Sequence, residues 1–552
     1  MTRQTWIAVT LVPLFMTTLD AQLKYPETRR VDVVDDYFGT KVPDPYRWLE
    51  DDNSPETAAW VKAQNEVTHA FLSTIPERDR IRARLTELWN YERYGIPSRE
   101  GSHYIYTRND GLQNQPVLYR AGSLDGKPEV LLDPNALSDD GTVALTDAEF
   151  TDDGTLMAYA LSQAGSDWRE WRVREVATGK DRADLIKWSK FSDVAWLKDG
   201  SGFYYGRFDA PKPGEELQGV NRYHKIFFHK LGTPQEEDVL VYERQDQPDW
   251  GFNPEVTEDG RFLLIYQSEG TENKFRIFVK DLTQPDAPIR PFLDRFDAYY
   301  NVIGNDGDTF YVTTDRDAPR GRLVAISLDR PEPEAWKTLV PEGPGRDVID
   351  SAHMLGDRFV LTWMVDASHR LRVYGLDGRF EREIALPTLG SVQFSSRRRD
   401  REGFYAFTSF TYPTTVFRYD PETGQSTVFR RPSVRFSPED YETTQVFYPS
   451  KDGTKIPMFI TARKGFVKNG QTPTLLYGYG GFNVSLTPSF SVANLAWLEM
   501  GGIYAVPNLR GGGEYGKAWH DAGRLANKQN VFDDFIAAAE YLLREKYTST
   551  PK

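Results

Sequence analysis

The stretch Thr474-Leu475-Leu476-Tyr477-Gly478-Tyr479-Gly480-Gly481-Phe482-Asn483 begins as a short apolar run and ends in a cluster of glycines. This pattern predicts a buried parallel strand that leads into a loop at the carboxyl edge of a sheet, where open α/β sheets place their chemistry. Because glycine lacks a Cβ, such a loop can approach a ligand or a second loop closely. Tyr479 lies between two glycines, and its hydroxyl is suited to donate a hydrogen bond to charge that develops on a substrate oxygen. On this stretch alone, a glycine-rich bend with Tyr479 packed on the surface is an equally good interpretation.

The segments that follow extend the same α/β pattern. Residues 501–508 (GGIYAVPN) predict a second buried strand, and residues 509–516 (LRGGGEYG) predict a second glycine-rich loop. Residues 530–543 predict a helix with an Asn530 cap. The helical period places on one face of it Phe532, Phe535, Ile536, Ala539, Leu542 and Leu543. Alternation of strand, loop and helix is typical of an α/β domain.

A repeat occupies the middle of the chain. A glycine precedes an aromatic or β-branched run seven times, at intervals of 46 to 60 residues, and these glycines are Gly101, Gly154, Gly200, Gly260, Gly307, Gly356 and Gly403. About fifty residues of short strands per repeat indicate the blades of a β-propeller, each with four strands around a central channel. A helical solenoid would need apolar spacings of three and four, which the runs lack. We therefore predict a seven-bladed β-propeller inserted in an α/β domain.

Several motifs together closely resemble the prolyl oligopeptidase (prolyl endopeptidase) family of serine peptidases. They are residues 477–483 (YGYGGFN), 508–516 (NLRGGGEYG), Trp519-His520 and 526–535 (ANKQNVFDDF), and residues 44–51 (DPYRWLED) resemble the family's N-terminal signature. The resemblance runs from about Tyr25 to the last residue. It implies hydrolysis of short peptides on the carboxyl side of proline through an acyl-enzyme, with the propeller as a size filter. No cofactor is implied, and the expected partners are short proline-containing peptides, with the complete protein a monomer.

The resemblance also implies roles for two residues of the first loop. Tyr479 matches the family's oxyanion-hole tyrosine, and Phe482 matches an aromatic wall of the pocket that receives the proline ring. The glycines at 511–513 are expected to give structural support, and His520 is expected to be a structural residue beside Trp519.

The nucleophile motif is not in the sequence. An α/β-hydrolase carries its serine in a G-x-S-x-G elbow, followed by Asp and His, and the 552 residues contain no such elbow. The resemblance places the elbow roughly ten residues after Lys552, so we expect the chain as printed to be inactive by itself.

Composition excludes other classes of function. The net charge of −14 argues against nucleic acid as a partner, and the absence of cysteine excludes disulfides, thiolate metal sites and a cysteine nucleophile. The seven histidines show no metal-ligand spacing, so no metal site is predicted.

The first 22 residues have the layout of a secretory signal. One arginine precedes the apolar run Trp6 to Phe15, and Ala21 stands before a candidate cleavage point. The run is too short to remain as a membrane span. We expect a secreted or periplasmic protein, or a cytoplasmic one if the segment is not a signal.

These observations divide the chain into four parts: residues 1–22, the signal peptide; 23–94, an N-terminal helical segment of the hydrolase domain; 95–438, the propeller; and 439–552, the N-terminal part of the catalytic domain. Two other functions fit the same residues. One is a secreted, non-catalytic propeller that binds peptides, and the other is an oligopeptidase B-like enzyme that prefers basic residues.

Overall fold

The structure is a computed structural model that describes residues 23–217 and 219–550. The predicted signal segment, residues 1–22, lies outside the described residues. The described residues divide into two compact units, the first ending at Arg84 and the second beginning at Leu85. Within the described ranges, no helix has both the length and the apolar character needed to cross a bilayer.

The first unit contains a hairpin and most of two helices. Its elements are β1 (Val34–Tyr37), β2 (Thr40–Pro43), α1 (Pro55–Ser73) and the start of α2 (Arg78–Trp89). The start of α1 is set by the local sequence, since the side chain of Ser54 accepts a hydrogen bond from the N–H of Thr57 and Pro55 occupies the first helical position.

Seven antiparallel sheets, six of four strands and one of five, occupy residues 93–430 of the second unit, and their strands pair in chain order. Blade 1 has its first strand split into β3 (Arg93–Tyr94) and β4 (Ser98–Glu100), followed by β5 (His103–Asn109), β6 (Val117–Ala121) and β7 (Glu129–Leu132). Blade 2 consists of β8 (Val143–Phe150), β9 (Leu156–Gln163), β10 (Arg169–Glu175) and β11 (Asp181–Ser189). Blade 3 consists of β12 (Val194–Trp196), β13 (Gly202–Arg207), β14 (Lys225–Lys230) and β15 (Val239–Tyr242). Blade 4 consists of β16 (Trp250–Val256), β17 (Phe262–Glu269), β18 (Arg276–Asp281) and β19 (Arg290–Leu293).

The remaining three blades follow the same plan. Blade 5 consists of β20 (Tyr300–Asp306), β21 (Thr309–Thr314), β22 (Arg322–Ser327) and β23 (Lys337–Val340). Blade 6 consists of β24 (Val348–Leu355), β25 (Arg358–Val365), β26 (Ser368–Gly375) and β27 (Phe380–Ile384), and blade 7 of β28 (Ser391–Ser395), β29 (Gly403–Ser409), β30 (Tyr412–Asp420) and β31 (Gln425–Arg430). The first strands of blades 2 to 6 line a central channel of about 540 Å³. The predicted seven-bladed propeller is therefore confirmed.

The repeated glycines mark one turn of each blade. Each stands between the first and second strands or begins the second, and all except Gly403 have a left-handed φ, between 55° and 76°. Gly403 is instead the first residue of β29. The aromatic runs behind these turns are buried, for example Phe203, Phe262, Phe310 and Phe359, because they pack between neighbouring blades.

A loop of blade 7 joins several blades around the channel. Arg397 Nη1 lies 2.8 Å from Glu100 Oε2 of blade 1, and Arg399 pairs with Asp152 of blade 2. The N–H groups of Arg398 and Arg399 both donate to the carboxylate of Glu258, which follows the first strand of blade 4. The loop thus ties the last blade to three others.

The hydrolase part begins at Tyr441. Its elements are β32 (Tyr441–Pro449), β33 (Lys455–Arg463), β34 (Thr474–Leu476), α3 (Val492–Glu499), β35 (Ile503–Pro507), α4 (Lys517–Asp521) and α5 (Gln529–Arg544). The strand order is β32-β33-β35-β34, with β34 parallel to β35 and the other pairs antiparallel. The strands β32 and β33 form an antiparallel hairpin, and β35 is buried as predicted.

Three details of this part correct the sequence analysis. The strand β34 is parallel but not buried, because among the described strands it pairs only with β35 and Leu475 is 45% exposed. The helix α5 starts at Gln529, with Lys528 rather than Asn530 at the cap position. Of the predicted face, Leu542 is buried, whereas Phe532, Ile536 and Leu543 are exposed. The other buried residues of the helix are Val531, Asp534 and Ala538. The apolar periodicity did not predict the buried face correctly, because the helix also buries the carboxylate of Asp534.

Candidate active site

The residues predicted to act on substrate lie on the loop that follows β34, which we call the Tyr479 loop (residues 478–486). The side chain of Tyr479 is 47% exposed and that of Phe482 is 65% exposed. Phe482 and Asn483 both have a left-handed φ, of 52° and 58°. Both predicted side chains therefore remain available at the surface, although no ring contact joins Tyr479 and Phe482 within the described part of the chain.

Gly480 is the residue that brings this loop against the rest of the domain. It is buried and has a φ of 62°. A Cβ at this position would lie 2.4 Å from Val531 Cγ1 and 2.9 Å from the backbone oxygen of Arg510. Only glycine fits here, because a side chain would collide with α5 and with the next loop.

The second glycine-rich segment, which we call the triple-glycine loop (residues 509–516), packs on the backbone of the Tyr479 loop. A Cβ on Gly511 would lie 2.7 Å from the carbonyl oxygen of Gly480, and one on Gly513 would lie 2.7 Å from that of Asn483. Because glycine has no side chain, the two backbones can contact each other, and the triple-glycine loop packs directly against the Tyr479 loop.

Hydrogen bonds hold the middle of the Tyr479 loop. The N–H of Asn483 donates to the carbonyl of Gly511 over 3.1 Å, and Nδ1 of His520 lies 2.8 Å from the same oxygen. Nδ1 of His520 also lies 3.1 Å from the nitrogen of Asn483. We assign the hydrogen to Nδ1, because the carbonyl of Gly511 can accept from both groups whereas two donors cannot bond to each other. His520 therefore has a supporting role, in agreement with the expectation from the sequence.

A buried carboxyl group holds the end of the loop. Glu514 is 1% exposed, and its Oε1 accepts from the N–H of Leu486 over 2.9 Å and from Nδ2 of Asn508 over 3.2 Å. Nδ2 of Asn508 also donates to the carbonyl of Leu486 over 2.6 Å. Burial raises the pKa of Glu514 to about 7. Leu486 is thus held through both of its backbone polar groups.

A cation holds the beginning of the loop. Nζ of Lys528 donates to the carbonyl oxygen of Gly480 over 2.7 Å. Lys528, Asn508 and Glu514 lie within the family motifs, but the sequence alone gives them no role. Their types and spacings carry no signal for these contacts, which join segments that are distant along the chain.

The propeller and the hydrolase part meet at a cavity of about 260 Å³. Arg524 forms an ion pair with Glu272 of blade 4, and the N–H of Lys517 donates to the carbonyl of Pro319 in blade 5 over 2.8 Å. From the Tyr479 loop, Asn483 and Ser485 line this cavity, whereas Tyr479 and Phe482 are not among its lining residues. The cavity is therefore next to the predicted site rather than coincident with it.

Among the described residues, no group of three or more His, Asp or Glu side chains is arranged to hold a metal ion.

A seven-bladed propeller joined to a sheet whose parallel strand delivers a glycine-rich loop defines a propeller-covered α/β-hydrolase. Sequence comparison matches residues 25–432 to the family described as "Prolyl oligopeptidase, N-terminal beta-propeller domain" and residues 488–552 to "Prolyl oligopeptidase family". The chain belongs to the prolyl oligopeptidase family.

Individual relatives agree with this assignment. The chain is 45% identical over 528 residues to a prolyl endopeptidase from Elizabethkingia meningoseptica, covering 96% of this chain and 74% of that protein. A solved prolyl endopeptidase structure is similar with a TM-score of 0.90 at 39% identity, covering 95% of this chain and 77% of the other. Prolyl oligopeptidase B from Galerina marginata, solved with a 35-residue substrate, has a TM-score of 0.89 at 33% identity, covering 96% of this chain and 77% of that one.

Proposed function

We propose that the full-length gene product is a serine peptidase that hydrolyses short peptides on the carboxyl side of proline. The observation that carries this proposal is the Tyr479 loop, in which a half-exposed tyrosine stands on a backbone held by Gly480, Gly511 and Glu514. The relative at 45% identity carries the name prolyl endopeptidase. The chain spans about three quarters of that protein's length, and the nucleophile, its Asp and its His are assigned to no residue of the 552.

In this proposal Tyr479 contributes half of the oxyanion hole. Its hydroxyl donates a hydrogen bond to the negatively charged oxygen of the tetrahedral intermediate, a contact of the kind that stabilises the transition state by about 3 kcal/mol. Because hydrogen bonds hold the loop before substrate arrives, little reorganisation is required when the charge develops.

Phe482 contributes an apolar wall for the proline ring. Its side chain is 65% exposed, and its backbone has a left-handed φ of 52°. A flat aromatic face favours the rigid pyrrolidine ring over a charged side chain, which would lose its hydration there.

The propeller acts as a size filter in this proposal. It contacts the hydrolase part around the cavity lined by Asn483 and Ser485, so a substrate must fit the space between them. A folded protein would be excluded, whereas an extended peptide would enter.

The assay that tests the activity compares chromogenic peptides ending in Gly-Pro and in Arg, with and without a serine-directed reagent. We expect cleavage of the Gly-Pro substrate only, and inhibition by the reagent. Preference for Arg would favour an oligopeptidase B-like enzyme. Tight peptide binding without turnover would favour the non-catalytic propeller, and sequencing the gene past codon 552 for a G-x-S-x-G elbow provides an independent test.

We also propose that the N-terminal segment is an export signal. The apolar run Trp6 to Phe15 and Ala21 support cleavage near residue 22 and a periplasmic or secreted protein. Intact-mass measurement on protein from the source should show residues 1–22 removed, and sedimentation should show a monomer.

A further inference from the structure

Lys528 occupies a position that helix stability does not explain. It is the cap residue of α5, a helix of 16 residues, and its side chain makes no capping hydrogen bond. The amino end of a helix carries partial positive charge, so a lysine there is unfavourable by about 0.3–1 kcal/mol where an Asn, Asp or Ser would be favourable. A residue that is unfavourable for its own helix indicates a role elsewhere.

The ammonium group points instead at the Tyr479 loop. Nζ lies 2.7 Å from the carbonyl oxygen of Gly480, the residue next to Tyr479. The position of a Cβ on Gly481 would be 3.8 Å from Lys528 Nζ and 3.9 Å from Tyr479 Cε1. The cation and the ring of Tyr479 therefore flank the same glycine.

The charge of Lys528 is not neutralised by an acidic partner. Among the described residues, no carboxylate forms an ion pair with its ammonium. An unpaired cation beside a site of developing negative charge stabilises that charge electrostatically.

We propose that Lys528 is a positioning residue for the reaction: it fixes the carbonyl of Gly480, and through it Tyr479, and adds its positive charge to the oxyanion site. This inference rests on the proposed oxyanion role of Tyr479. It predicts that Lys528 acts on the rate of the chemical step and not on substrate affinity.

The test uses the full-length gene product and four substitutions. Lys528→Met should lower kcat at least about 10-fold and leave KM within about 2-fold, because the contact matters in the transition state. Lys528→Arg should retain most of the wild-type kcat. Lys528→Gln keeps a hydrogen-bond donor without the charge, so its kcat should lie between those of Lys528→Met and Lys528→Arg. Lys451→Met is the matched control, since it removes a lysine of the same domain whose ammonium lies 3.9 Å from Asp533, and it should retain wild-type kinetics.

A double-mutant cycle shows whether Lys528 works through Tyr479. In a Tyr479→Phe background, Lys528→Met should cost less than about 3-fold, since the hydroxyl that it positions is already gone and only the contribution of its charge remains. Equal losses in both backgrounds, or an unchanged kcat in Lys528→Met, would overturn the inference. An inactive wild type, or a Tyr479→Phe variant with wild-type kcat, would instead count against the proposed function. If the melting temperature of Lys528→Met shows that this variant does not fold, kcat is compared between Lys528→Gln and Lys528→Arg. The inference then requires a lower kcat for Lys528→Gln.

Discussion

Arg510 and Asp534 form a fully buried ion pair that joins the triple-glycine loop to α5. Nη2 of Arg510 lies 2.6 Å from Oδ1 of Asp534, and the two side chains are 5% and 0% exposed. Ser450 Oγ donates to the same oxygen of Asp534 over 2.6 Å. Desolvation opposes the charge of Arg510, but its hydrogen bonds with Asp534 and Asp452 outweigh that effect and raise its pKa. The loop beneath Tyr479 is thereby attached to the helix that carries Lys528.

Breaking this pair should destabilise the hydrolase part strongly. Arg510→Met leaves the carboxylate of Asp534 buried without its main partner, a change that typically costs about 3–5 kcal/mol. Arg544→Met is the control, because Arg544 pairs with an exposed partner, Glu545, and should cost less than about 1 kcal/mol. Urea unfolding followed by tryptophan fluorescence measures both. Equal midpoints for the two variants would contradict the assigned importance of the pair.

Adding a methyl group at Gly480 should disrupt the site, whereas adding one at Gly501 should not. Both glycines have a left-handed φ, but a Cβ on Gly480 would lie 2.4 Å from Val531 Cγ1 while one on Gly501 meets nothing within 4 Å. Gly501→Ala should cost about 1–2 kcal/mol from backbone strain alone. Gly480→Ala should cost about 1–3 kcal/mol more from the collision. Thermal unfolding of the two variants measures the difference, and similar melting temperatures would refute the packing argument.

Removing the hydroxyl of Tyr479 should impair catalysis and not folding. In the full-length gene product, Tyr479→Phe should lower kcat by about 100-fold with little change in KM, since the hydrogen bond forms only with the oxyanion. Tyr477→Phe is the matched control, because Tyr477 is also 47% exposed and lies two residues earlier. Steady-state kinetics on a Gly-Pro substrate measures kcat and KM for both variants. Wild-type kcat in Tyr479→Phe would remove Tyr479 from the oxyanion hole.

His229 should make the propeller less stable at alkaline pH. It is fully buried in blade 3, with Nε2 3.1 Å from Asp184 Oδ1 and Nδ1 2.7 Å from Asp238 Oδ1. Burial alone would lower its pKa, but hydrogen bonds with these two carboxylates raise it from 6.5 to about 9. The folded state therefore keeps a proton that the unfolded state has lost, so the stabilisation is complete below pH 6.5 and is lost as the pH rises through about 9.

The measurement for His229 compares unfolding free energies at pH 6 and pH 10. We expect the wild type to lose on the order of 2 kcal/mol more than His229→Gln, because the glutamine has no proton to release over this range. Parallel pH profiles for the two proteins would show that His229 is neutral in the folded state.

Much of the fold was predictable from local pattern. Glycines such as Gly154 and Gly260 recur where a blade turns from its first to its second strand, because a left-handed turn favours glycine wherever it occurs. The start of α1 followed from Ser54 and Pro55, whose effects act within one helical turn. The face of α5 was predicted wrongly, since the periodic rule assigns Asp534 to solvent while its partner Arg510 comes from a distant loop.

The sequence by itself determined the number of blades, the α/β character of the part after residue 440 and the family, because turns, strands and motifs depend on neighbouring residues. Only the tertiary structure decided that the triple-glycine loop lies against the Tyr479 loop, that Glu514 holds Leu486 and that Lys528 reaches Gly480. Those contacts join segments separated by tens of residues, and no local preference encodes which buried donor meets which acceptor.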